Sequence, residues 1–158
     1  MMHAAPPECW YCVALKPSQG HKARENIRAL GFTSFDPEWR KLRRRAGKDE
    51  SKRGFLIASY SFVLAARNRH QWAAIKAADG VLGFLGSHGD VDDQTVWIPS
   101  AVSEAWIEDM RAREAAGEWD YEAMELRRRR VKREKRHGLK LADLGIVWDE
   151  IVENAKAA

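Results

Sequence analysis

The stretch FLIASYSFVLAA, Phe55 to Ala66, limits what this chain can fold into more than any other. It carries no charge and is rich in β-branched, aromatic and aliphatic residues, so it reads as a strand. Its alternation puts Leu56, Tyr60, Phe62 and Leu64 on one face, and Ile57, Ser59, Ser61 and Val63 on the other.

Other elements are legible on either side of it. WYCVALKP, Trp10 to Pro17, is a second strand, stopped by its proline. Ser18 then looks like a helix N-cap, with Ala23, Ile27 and Leu30 on one face and Gly31 as the stop. His21, Lys22, Arg24 and Arg28 fall on the polar face of that helix. A strand from Phe32 to about Trp39 follows. The charged run Lys41 to Arg53 contains Gly47 and reads as a hairpin. Asn68 caps a short helix bearing Trp72, Ile75 and Ala78, which Gly80 ends; Val81 to Gly86 is a further strand and Ser87 to Gln94 a polar loop.

Past Pro99 the pattern becomes helical. Ser100 is placed as the cap of a helix carrying Val102, Trp106 and Met110, interrupted at Gly117. A second helix spans about Trp119 to His137, acidic at its start and basic at its end, a polarity that complements the helix dipole. Leu141, Leu144, Trp148, Ile151 and Val152 form a last apolar stripe. The expected class is α+β: a mostly antiparallel sheet flanked by helices, with a helical C-terminal extension. The domains are drawn at 9–112 and 113–158.

Composition narrows the functions. Hydrophobic residues make up 45%, with seven Trp, which is too apolar for a disordered chain. The net charge of +4 permits contact with nucleic acid without requiring it. The start MMHAAPPE lacks the pattern of a signal peptide, and no run approaches the roughly 20 apolar residues of a membrane span. A soluble, cytoplasmic protein without membrane contact is therefore expected.

Two motifs are read as structural. Cys9 and Cys12 have redox or metal spacing, but they straddle Trp-Tyr in a strand, and no second pair completes a zinc site. His88, Asp90, Asp92 and Asp93 lie in a glycine-containing turn without a second convergent motif. No nucleophile elbow, P-loop or dinucleotide fingerprint occurs. Neither an enzymatic activity nor a cofactor is expected.

In their order and spacing the segments resemble the NusG/RfaH family, specifically the NusG N-terminal (NGN) domain. WYCVALKP resembles its opening strand and HKARENIRALGF its first helix. KLRRRAGKDESKR stands where the family has a basic hairpin, FLIASYSFV where it has a strand of the type PLFPGYLFV, and WAAIKAADGVLGFLG where it has W…I…T.GV..F.G. VWIPSAVSEAWIEDM resembles its closing helix. Two departures stand out. Ala58 and Ser59 replace the family's proline and glycine before the strand tyrosine, and the helical, basic segment after Met110 has no likeness to a KOW domain.

The resemblance implies a transcription elongation or antitermination factor that binds bacterial RNA polymerase at the clamp helices of its largest subunit. Tyr60 and Phe62 match the Y-x-F spacing of the family's clamp-binding strand. The start of the second helix, which touches a gate loop in the family, corresponds to His70 and Gln71, with Trp72 assigned to the core. The family also lies near upstream DNA, for which Lys16, Lys22, Arg24, Arg43, Arg44 and Arg45 are the available cations. Independently of the resemblance, Arg127, Arg128, Arg129 and Arg130 open a run of eight basic residues and one acid. Such a helix suits an RNA groove, so an RNA-binding regulator is the alternative.

Overall fold

The computed structural model describes residues 7–45, 48–91 and 94–121. In chain order these form β1 (Glu8–Leu15), α1 (Gly20–Ala29), β2 (Thr33–Phe35), β3 (Glu38–Arg45), β4 (Lys48–Phe55), β5 (Tyr60–Ala66), α2 (Arg69–Ala77), β6 (Val81–Phe84), β7 (Gly86–Val91), β8 (Gln94–Pro99), β9 (Ala101–Val102) and α3 (Glu104–Ala115). The architecture is α+β, and every described strand pairing is antiparallel.

β1 is the centre of the main sheet, whose order is β2-β5-β1-β6, with β9 also on β1. Alternation along β1 divides the core into two layers. Trp10 and Cys12 face α3, where they pack with Phe62, Ile107 and Met110. Tyr11, Val13 and Leu15 face the other way and pack with Ala23 and Ile27 of α1 and Ile75 of α2. The sheet is thus covered on both faces, which is why both parities of its central strands are apolar. Two ribbons stand off this body, β3 with β4 and β7 with β8.

Local chemistry accounts for most boundaries. α1 closes in a Schellman turn: Gly31 takes φ 88°, and the amides of Gly31 and Phe32 donate to Arg28 and Ile27. Asn68 caps α2 by accepting the amide of Gln71 at 2.8 Å.

Several expectations are corrected. Ser18 does not cap α1; it sits in a turn at φ 64°, and Gln19 holds the cap position without a side-chain bond. Leu30 lies past the last turn and is 52% exposed, because the glycine stop turns the chain away before that position reaches the core. The long strand Phe55 to Ala66 is two strands. A turn at Leu56–Ser59 separates β4 from β5, and Leu56 and Ile57 both enter the same core layer. The Phe32–Trp39 strand likewise breaks at Asp36–Pro37, and Trp39 belongs to the basic ribbon.

Ser87 to Val91, expected in a loop, form most of β7, which pairs with β8 so that His88 faces Trp97. Its polar composition hid it, since a partner strand satisfies backbone groups whatever the side chains. Ser103, not Ser100, caps α3, and Val102 is tied to Trp10 in the sheet. α3 runs through the expected boundary at 112, and Trp119, 1% exposed, sits in the core beyond it. The basic run from Arg127 and the stripe from Leu141 to Val152 lie outside the described residues.

Candidate functional site

The face of the sheet under α3 is fully buried at Phe62 and only partly buried at Tyr60. Phe62 lies opposite Cys12 and is 1% exposed. Its ring meets Trp106 at 4.9 Å between centroids and Phe35 at 6.4 Å. That corrects the expectation of a contact residue: α3 lays Trp106 over it, so Phe62 is a core ring. Tyr60, two residues earlier on the same face, is only partly buried. It lies opposite Ala14, which is also half-buried.

On the far side of Ala14 the register of β6 slips. Gly83 faces Ala14 while Val81 faces Leu15, which leaves Leu82 as the extra residue of a bulge. Val81 is buried against the helices α1 and α2, whereas Leu82 is 57% exposed. Tyr60 and Ala14, both half-buried, face one another across β5 and β1, and Leu82 is the exposed bulge residue of the adjoining strand β6. Sequence reading did not find Leu82, because the bulge it belongs to is a property of pairing. The signal in reach was a leucine next to a glycine in a short strand.

The start of β5 is fixed from behind by Arg24. This residue is 1% exposed, so its placement on the polar helix face and among nucleic-acid contacts is corrected. Its Nε donates to Asp36 Oδ1 at 2.7 Å, and its Nη2 to the carbonyls of Ile57, Ala58 and Tyr60 at 3.0, 3.3 and 2.8 Å. The guanidinium also lies 3.8 Å from the centroid of Phe55. A flat group with five donors satisfies the turn that Ala58 and Ser59 make without proline or glycine. Arg28 supplies a second cation to Asp36 at 2.9 Å.

The other expected contacts disperse. His70 is exposed at the start of α2. Gln71 is committed locally: its side-chain oxygen accepts the amide of Ala66 at 2.6 Å. Trp72 packs edge-on against Tyr11, at 5.7 Å between centroids, consistent with a core role. Lys22 pairs with Asp79 on the surface, and that bond raises the lysine pKa and lowers that of the aspartate. Lys16 sits close enough to add to the lowering at Asp79.

Arg43, Arg44 and Arg45 all lie on β3, in register with Glu50, Asp49 and Lys48 of β4. Strand parity splits them, with Arg43 and Arg45 in phase with Lys41, and Arg44 in phase with Arg40. Parity also decides the cysteine question. Cys12 points into the layer under α3, and Cys9 packs on the other layer. The two thiols lie on opposite faces of the sheet, and burial pushes the Cys12 thiol well above its ordinary range. Among the described residues no cluster of three or more metal-ligating side chains occurs.

The family described as transcription termination factor nusG matches residues 8–111, and the chain belongs to it. No individual curated protein matches the chain. Members of this family are non-enzymatic factors of transcription that work with RNA polymerase. Among the described residues no helix is long and apolar enough to cross a membrane.

Proposed function

We propose that this protein modulates transcript elongation by docking the surface around Tyr60 on the clamp helices of bacterial RNA polymerase. The reading is supported by Tyr60, half-buried opposite Ala14 on the sheet face that carries Phe62, and by the exposed Leu82 on the adjoining strand β6. A tyrosine so placed brings large area at small entropic cost and keeps a polar tip for the rim. Bound there, the domain places the β3–β4 ribbon where its cations meet the phosphates of upstream DNA. Its effect on pausing or termination then follows from preferring the closed, active polymerase over competing states.

Affinity for purified RNA polymerase tests the proposal. Tyr60→Ala combined with Leu82→Ser is expected to weaken binding about thirtyfold or more while the domain stays folded. Phe62→Ala acts instead through the core and lowers stability by about 3–5 kcal/mol. A folded Tyr60/Leu82 variant that binds as well as the parent overturns this interface.

A further inference from the structure

The root of the basic ribbon is held by the end of α3 and the residues that follow it. α3 ends in a Schellman turn, with Gly117 at φ 69° and the amides of Gly117 and Glu118 donating to the carbonyls of Glu114 and Arg113. The turn is braced by Arg113, whose Nε and Nη2 reach the two carboxylate oxygens of Glu118 at 2.6 and 3.0 Å. Trp119 then anchors the segment in the core.

Two carboxylates project from this rigid turn onto one strand. The amide of Glu38 donates to Glu114 Oε1 at 2.8 Å, and the amide of Arg40 to Asp120 Oδ1 at 3.1 Å. Amides two residues apart in a strand point to the same side, here the side away from β4. The pair of carboxylates thus acts as a stand-in for a neighbouring strand along the first residues of β3. One residue on, Lys41 Nζ lies 3.4 Å from the centroid of the Tyr121 ring.

We infer that residues 113–121 are a clasp that fixes the direction in which the basic ribbon leaves the sheet, with Glu114 and Asp120 as its positioning residues. A two-stranded ribbon is marginal alone and swings about its root unless one edge is held. With the clasp closed, the cations of β3 and β4 are presented at a set angle to the sheet. The benefit for nucleic-acid contact rests on the function proposed above, whereas the clasp itself does not.

Amide exchange and backbone relaxation on the full chain test the clasp. In Glu114→Ala with Asp120→Ala, exchange at the amides of Glu38 and Arg40 is expected to rise about tenfold or more, as removal of charge-assisted bonds implies. Order parameters along the ribbon fall, while those of β1 and β5 hold. Glu114→Gln with Asp120→Asn retains acceptor oxygens and is expected to restore much of the protection. A ribbon as ordered and protected in the alanine variant as in the parent overturns the clasp. If the ribbon loosens while polymerase and DNA affinity stay unchanged, the clasp stands and the proposed role of the ribbon falls.

Discussion

Arg24 and Asp36 form an ion pair with each side chain 2% exposed, and Arg28 joins it from the rim. Removing two charges from water is costly, and what offsets it here is the set of carbonyls the guanidinium also serves. The consequence is asymmetric. Asp36→Ala leaves a buried cation without its carboxylate and is expected to lower stability by about 3–5 kcal/mol. Urea unfolding measures it, and a decrease below about 1 kcal/mol would show that the carbonyls and Phe55 suffice. The identities of these residues were plain in the sequence. Their pairing was not, since an arginine on a helix usually reads as solvent-facing, and Asp36 lies in the link between β2 and β3.

At the scale of elements, the ribbon of β3 and β4 concentrates the cations. Along Glu38–Arg45 and Lys48–Phe55 the sequence places Arg40, Lys41, Arg43, Arg44, Arg45, Lys48, Lys52 and Arg53 against Glu38, Asp49 and Glu50. Replacing Arg43, Arg44 and Arg45 with glutamine is expected to weaken association with the elongation complex most at low salt. The slope of log affinity against log salt should shrink by up to about 0.9 for each phosphate that the variant no longer neutralises. A fall that is equal at all salt concentrations would point to a fold defect or a non-ionic contact instead. The hairpin itself was legible from its charge and its Gly47. The β7–β8 hairpin was not, because glycines and aspartates carry weak strand signals. Its Trp97, 49% exposed and set edge-on to His88 at 4.9 Å, became visible only with the pairing.

Across the whole molecule, the core depends on residues beyond the boundary drawn at 112. Trp119 belongs to the layer of Trp10, Phe62 and Met110, and Glu114 and Asp120 reach the ribbon root. A chain ended after Tyr121 is therefore expected to keep the cooperative unfolding of the parent. One ended after Ala112 lacks a fully buried tryptophan and should be less stable by about 3–5 kcal/mol or fail to fold. Thermal and urea unfolding of the two truncations compare them directly. Equal stability of both would mean that Trp119 fills space without supporting it.

Local chemistry in the sequence was enough to determine the types of most elements, the glycine stops at Gly31 and Gly117, the cap at Asn68 and the α+β class. These depend on backbone preferences and on periods of two and 3.6 residues, which a single chain displays. The order of motifs also carried the family. Only the tertiary structure decided that Tyr60 is half-buried while Phe62 is fully buried, that Arg24 is buried and that Leu82 is exposed. Each of these depends on which surface lies across the gap. α3 lays Trp106 over Phe62, the turn before β5 offers carbonyls to Arg24, and Leu82 is the extra residue where the register slips against β1. Alternation assigns a side chain to a face, but whether that face is covered depends on contacts between residues far apart in sequence.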